Sequence, residues 1–278
     1  MPDAVVCDAA PDALRSMFEA EYAFARAARV SVRSAFLEYL APDSWILEPN
    51  PRPGRAVYAA ETDGTAQLDW YPSFGAAAAS GELGFTGGPW VYAQAPGGLH
   101  SYGHFLTIWK RDPGCRWWVQ IDGGISHAEP LSVEQKIVPL EALMPPSAPP
   151  PARFVAADAP ARALADFQET AARDGFAAAL RTYARDEDFL LLTAGEAPAG
   201  VGTASVHFDA HPIEGAWRET VRGLSLDSTL LYAVGELIGA HRVATHAYVQ
   251  LWLYDPKVAN WGLRVLLINP LPAAAAKA

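Results

Sequence analysis

Five of the seven residues from Pro145 to Pro151 are proline, and no other feature limits the fold of this chain as strongly. Such a run lacks the N–H groups a helix or central strand needs, so it reads as a stiff polyproline II spacer rising about 3.1 Å per residue. It lies near the middle of 278 residues, a length with room for two ordinary domains. The expected layout is a first domain over 12–138, a proline-rich linker over 139–157 and a second domain over 158–272.

The two flanks repeat a sequence order. Ala35-Phe36-Leu37-Glu38-Tyr39 followed by Trp45-Ile46-Leu47 matches Ala179-Leu180-Arg181-Thr182-Tyr183 followed by Phe189-Leu190-Leu191. Leu68-Asp69 and Pro72 match Phe208-Asp209 and Pro212, and Gly81-Glu82-Leu83 matches Gly235-Glu236-Leu237. Trp109, Asp112-Pro113 and Trp118 match Trp252, Asp255-Pro256 and Trp261. The order is kept and the offsets differ only by loop-sized insertions, which predicts a duplicated module.

Each copy begins with helical patterning. Asp12 is a candidate N-cap for a helix burying Leu14, Phe18, Tyr22 and Ala25, and Ser31–Leu40 forms a second helix stopped by Pro42. In the second copy Asp158 precedes helices over Ala161–Arg173 and Gly175–Ala184. Strands are predicted over Ser44–Leu47, Ala66–Tyr71, Leu83–Ala95, Ser101–Lys110 and Trp117–Ile125, with turns at Pro96-Gly97-Gly98 and Asp112-Pro113-Gly114. Helices followed by an antiparallel meander give an α+β class, with helices on one face of a curved sheet.

Composition excludes several functions. A formal charge of −10 with pI near 5.1, and no basic cluster longer than Lys110-Arg111, argues against nucleic-acid or anionic-membrane partners. No stretch approaches the roughly 20 apolar residues of a membrane span, and Met1–Ala13 lacks a signal-peptide core, so the chain reads as cytoplasmic. Cys7 and Cys115 are far apart in sequence, and a disulfide framework is not expected of them.

Several segments together carry a resemblance: the paired N-terminal helices, Ala79-Ser80-Gly81-Glu82-Leu83-Gly84-Phe85-Thr86-Gly87-Gly88-Pro89-Trp90, Gly103-His104-Phe105-Leu106-Thr107-Ile108-Trp109-Lys110-Arg111, and Trp118-Val119-Gln120-Ile121-Asp122. In that order they resemble the nuclear transport factor 2-like superfamily, in particular its SnoaL-like and ketosteroid-isomerase-like bacterial domains. The resemblance covers about Asp12–Ala128, and Asp158–Leu271 as a degenerate second copy. It implies two tandem cone-shaped modules, each a strongly curved antiparallel sheet wrapped around helices with a pocket between them. Members include isomerases, cyclases, dehydratases and hydrolases as well as non-catalytic binding or assembly modules, so fold alone does not set the activity. Many members pair through the outer sheet face, which implies an internal pseudo-dimer and leaves room for a homodimer.

Within the first copy Asp122 and His104 are the candidate catalytic residues, with Tyr22, Tyr39, Trp90, Tyr92, Thr107 and Trp109 as candidate pocket lining. A carboxylate in an apolar cone gains a raised pKa and can serve as a base, while a neutral His or a Tyr can donate to a developing oxyanion. Hairpin register decides whether the two share a face. If Arg111 pairs with Trp117, Leu106 meets Asp122 and His104 lies on the Asp122 side; if Arg111 pairs with Arg116, His104 faces away. The repeat places Val265 opposite Asp122, and the apolar run Val265-Leu266-Leu267-Ile268 makes the second copy a scaffold rather than a site.

The ligand implied is a small apolar or aromatic molecule, with acid–base catalysis of isomerase, cyclase or dehydratase type as the implied chemistry; the alternative is a non-catalytic ligand-binding or assembly module. No cofactor is expected, since phosphate-loop, nucleophile-elbow, Cys-x-x-Cys and His-Glu-x-x-His signatures are absent. His207-Phe208-Asp209-Ala210-His211 is not expected to bind metal, because in a flat strand the two imidazoles would stand about 13 Å apart. Glu19, Glu21, Glu38 and Glu169 are assigned to solvated helix faces, and Ala273–Ala278 to a frayed tail.

Overall fold

The computed structural model describes residues 7, 10–62, 64–128, 158–184, 188–256 and 258–272. The expected linker over 139–157 and the Ala273–Ala278 tail lie outside these residues. The chain divides into two compact units, the bulk of each on its own side of residues 129–157. Each is α+β.

In the first unit α1 (Ala10–Ala28) buries Leu14, Met17, Phe18, Glu21, Phe24, Ala25 and Ala28. That spacing of three and four residues keeps one face of a helix against the sheet. Helix α1 begins at Ala10, so Asp12 lies in its first turn and does not cap it. Helix α2 (Val32–Tyr39) is capped by Ser31, whose hydroxyl accepts from the Ser34 N–H at 3.1 Å, and the chain passes directly into β1 (Leu40–Leu47). A short β2 (Pro51–Pro53) leads into α3 (Gly54–Ala60), a helix the sequence patterning did not reveal. The remaining strands are β3 (Gln67–Trp70), β4 (Phe74–Ala77), β5 (Leu83–Ala93), β6 (His100–Arg111) and β7 (Trp117–His127).

The sheet runs β2-β1-β7-β6-β5-β3, with β4 also on β5. Strands β5, β6 and β7 form an antiparallel meander, whereas β1 lies parallel to β7. The strand predicted over Ala66–Tyr71 is β3, and an unpredicted β4 follows it along β5 beyond Pro72, which lacks a ladder N–H.

In the second unit α4 (Ala159–Asp174) ends at Gly175, whose φ of 91° only glycine adopts without strain, and α5 (Phe176–Tyr183) follows at once. Then come β8 (Leu190–Leu192), α6 (Val201–Ala210), β9 (Ala216–Leu224), β10 (Leu230–Ile238), β11 (Ala244–Asp255) and β12 (Asn260–Pro270). The sheet order β8-β12-β11-β10-β9, with β8 parallel to β12, reproduces the plan of the first unit.

Register refines the sequence correspondence. Both β6 and β11 carry a register shift just before a fully buried Trp, so Trp109 faces Val119 and Trp252 faces Leu263. On this alignment Trp117 takes the place of Trp261, and the counterpart of Asp122 is Leu266, one residue beyond the expected Val265. Two of the four matched blocks fall on different structures: Leu68-Asp69 lies on β3 but Phe208-Asp209 on α6, and Leu83 opens β5 while Leu237 nears the end of β10.

Candidate active site in the first unit

Strand β7 lies between β1 and β6, and near its middle Asp122 stands opposite Thr107 on one side and Ile46 on the other. The Thr107 hydroxyl donates to Asp122 Oδ2 at 2.9 Å. The carboxyl lines a cavity of about 590 Å³ whose aromatic walls are Phe36, Tyr58, Trp70, Trp90, Tyr92 and Phe105. That volume lies within the range of small-molecule sites. Gly124 belongs to the same lining and leaves space there that no larger residue could share, since a Cβ would fall 2.6 Å from the His104 carbonyl oxygen.

Burial raises the Asp122 pKa to about 8, nearby Glu21 and Glu48 add to the rise, and the Thr107 hydrogen bond opposes it. The group therefore holds its proton in most molecules at pH 7. Free, the site offers an acid or hydrogen-bond donor, and becomes a base only as pH passes about 8. The sequence predicts a raised pKa that suits a base; a pKa of about 8 makes the resting group an acid at pH 7.

Tyr58 on α3 brings a hydroxyl to the same cavity. Its ring is buried and stacks on Phe36 at 4.1 Å, and its hydroxyl has no hydrogen bond among the described residues. Burial, then Glu48, Asp122 and Glu61, push its pKa well above the ordinary value, so it stays a neutral donor. Sequence reasoning missed Tyr58 because Arg55–Ala60 was not read as a helix; its Ala-rich composition was the available signal.

Glu21 is the larger surprise. Assigned to a solvated face, it is fully buried and accepts from Trp70 Nε1 at 2.5 Å, Thr86 Oγ1 at 2.5 Å and Trp109 Nε1 at 2.9 Å. Desolvation raises its pKa, opposed by the Thr86, Trp70 and Trp109 donors. The physical reason for the misassignment is a choice of step along α1. From Phe18 the stripe advances three residues to Glu21, while the fourth, Tyr22, is 36% exposed. Because Trp70 forms part of the cavity wall, Glu21 positions that wall from behind.

The other candidates separate. Trp90 and Tyr92 line the cavity, and the Trp90 ring lies against the bare Cα of Gly103. Thr107 acts through Asp122, Trp109 is fully buried beneath Glu21, Tyr39 stacks on Phe24 at 4.9 Å, and Tyr22 stays outside the lining. His104 does not share the face of Asp122. The hairpin starts with Arg111 opposite Trp117, but the register shift at Ile108/Trp109 moves Asp122 to Thr107 and leaves His104 opposite Ile125. His104 is buried and lies 3.1 Å from the His127 ring nitrogen, and burial followed by His127 lowers its pKa to about 4. At pH 7 it is neutral and away from the cavity.

His207 sits on α6, not on a strand, and His211 caps its C-terminal end, so their rings come to 5.0 Å while Asp209 turns to Arg181. The distance argument made for a strand is thereby replaced, and no metal-type cluster occurs among the described residues. Cys7 and Cys115 form a disulfide, contrary to expectation, because the β6–β7 turn brings Cys115 within 5.5 Å Cα–Cα of Cys7 despite 108 residues between them. No described helix is long and apolar enough to cross a membrane.

No protein-family model matches the chain, and no curated protein matches it. Solved structures do. An NTF2-like protein of unknown function from Shewanella oneidensis is 15% identical over 41% of this chain and 99% of its own, with a TM-score of 0.34. A nuclear transport factor 2-like superfamily protein from Salmonella enterica matches at 13% over 44% and 96%, TM-score 0.35. An NTF2-like protein with a cystatin-like fold from Novosphingobium aromaticivorans matches at 12% over 46% and 86%, TM-score 0.33. Each likeness is one of fold, spanning about one unit of this chain.

Proposed function

We propose that the first unit binds a small, largely apolar or aromatic molecule in its cavity and that Asp122 exchanges a proton with it, in a reaction of isomerase, cyclase or dehydratase type. The observation that carries this is the Asp122 carboxyl, set in an aromatic cavity of about 590 Å³ with its pKa moved to about 8. Protonated Asp122 donates to a developing negative charge or a leaving oxygen, and Tyr58 supplies a second neutral donor. The two units are read as copies of one module, with the second as scaffold. The disulfide favours an oxidising compartment over the cytoplasm.

The test is a small-molecule thermal-shift screen run in parallel on the parent protein and Asp122→Asn. Ligands that stabilise the parent and lose their effect in the variant support the reading, and turnover of such a ligand should depend on a group titrating near pH 8. If hits bind both proteins equally and none is converted, the catalytic part is wrong and a ligand-holding role stands. That second reading is favoured by the lack of a basic side chain hydrogen-bonded to Asp122 among the described residues.

A further inference from the structure

We propose that the first-unit cavity selects a ligand carrying a positively charged amine or ammonium head on an apolar or aromatic body. The inference rests on the reading that this cavity binds a small molecule, and adds the charge of that molecule.

The walls supply the first argument. Six aromatic side chains surround the space, and faces of Trp, Tyr and Phe attract a cation that has shed its water. The charged groups supply the second. Asp122 stands near the middle of β7, the exposed Glu48 and Glu61 line the same cavity, and Glu21 on α1 lies close enough to act on Asp122. Against these four carboxyls the lining offers one cation, Arg33 on α2, and Arg52 acts on Glu48. Neither arginine is among the groups that act on Asp122.

The third argument is incompleteness. Among the described residues Asp122 has one hydrogen-bond donor, Thr107, for its two carboxyl oxygens, and the hydroxyl on the buried Tyr58 ring, beside the same acids, has no hydrogen-bond partner. Asp122, desolvated beside other acids and held by a single donor, is costly to ionise, and a bound cation removes that cost. A neutral apolar ligand would fill the walls and leave the acids as they are.

Binding of a cation should therefore expel the Asp122 proton. The linkage has a definite sign: above about pH 8 the carboxylate is already formed, and below it each ligand bound must displace one proton. Cation affinity then falls about tenfold per pH unit on going down from pH 8.

The experiment compares two probes with one body, protonated 2-phenylethylamine and neutral 2-phenylethanol, by titration calorimetry on the whole chain at several pH values. The ammonium should bind at least about tenfold more tightly than the alcohol near pH 8, with a heat that changes with buffer as a proton is released. In Asp122→Asn the pH slope should disappear. Should that variant not fold, Glu48→Gln should weaken the ammonium several-fold and leave the alcohol unchanged. Equal or tighter binding of the alcohol overturns the charge selectivity and leaves the pocket reading intact. Failure of both probes at millimolar concentration overturns the pocket reading and this inference with it.

Discussion

The two units share a plan and differ at the places where the first carries buried acids. Around Glu21 the first unit sets Trp70, Thr86 and Trp109, all donating to its carboxyl. The alignment of helices and strands puts Leu164, Trp217, Ala233 and Trp252 at those places in the second, so apolar groups stand where the first unit has the acid and the hydroxyl. The Trp252 N–H, deprived of a carboxylate, donates to Gln250 Oε1 at 3.1 Å, on the strand position that Thr107 holds in the first unit. Likewise Asp122 and Gly124 give way to Leu266 and Ile268, both buried in the second core. What differs is a correlated set, and it teaches that a buried acid survives only with its donors, whereas a leucine needs none.

The comparison can be broken first at its apolar end. Leu164→Glu puts a carboxyl where Ala233 offers no hydroxyl and Trp252 is already paired, and should cost about 4 kcal/mol in urea unfolding of the second unit. A cost under about 1 kcal/mol would mean that the two sites are not equivalent. The reverse exchange, Glu21→Leu, strands the Trp70 indole and the Thr86 hydroxyl as donors and leaves the Trp109 indole only Thr86 as acceptor, and should cost about 3 kcal/mol. Because the Trp109 N–H also donates to Thr86 Oγ1 at 3.0 Å, part of that loss should be recovered only when Thr86→Ala is added together with Thr107→Gln, the acceptor that Trp252 uses in the second unit.

A chemical difference follows in size. Both cysteines of the chain lie in the first unit, so a reducing agent should lower its stability by about 2 kcal/mol and leave the second unit unchanged. Separate unfolding transitions, followed by hydrogen exchange, distinguish the two outcomes.

The smallest expected effect concerns pH. Asp122 binds its proton more tightly folded than unfolded, so its contribution is fully present below about pH 4 and is lost as pH rises towards 8. Asp122→Asn removes that loss: it should raise the melting temperature near pH 8, by the equivalent of about 1 kcal/mol or more, and change it little near pH 4. A melting curve that shifts equally at both pH values would show that burial does not govern this carboxyl.

Much of the fold was legible in the chain. The prolines from 145 to 151, the helical stripes and the alternating aromatic strands led to two α+β modules, and the Trp109/Trp252 pair aligned the last two strands to within one residue. These signals are local or periodic, and periodicity is what backbone geometry imposes on a sequence. Asp122, Trp90 and Tyr92 could be named as candidates for the same reason, since strand alternation assigns faces.

Tertiary structure decided the rest. One register shift at Trp109 moved every later residue of the hairpin by a position, which separated His104 from Asp122; sequence does not mark where a ladder slips. The burial of Glu21 depended on donors from β3, β5 and β6, and Tyr58 reached the cavity from a helix too short to declare itself. The Cys7–Cys115 bond joined residues 108 apart. Composition, class and candidate residues thus came from local chemistry, while the site itself, an acid with a raised pKa among aromatic walls, exists only because distant segments exclude water together.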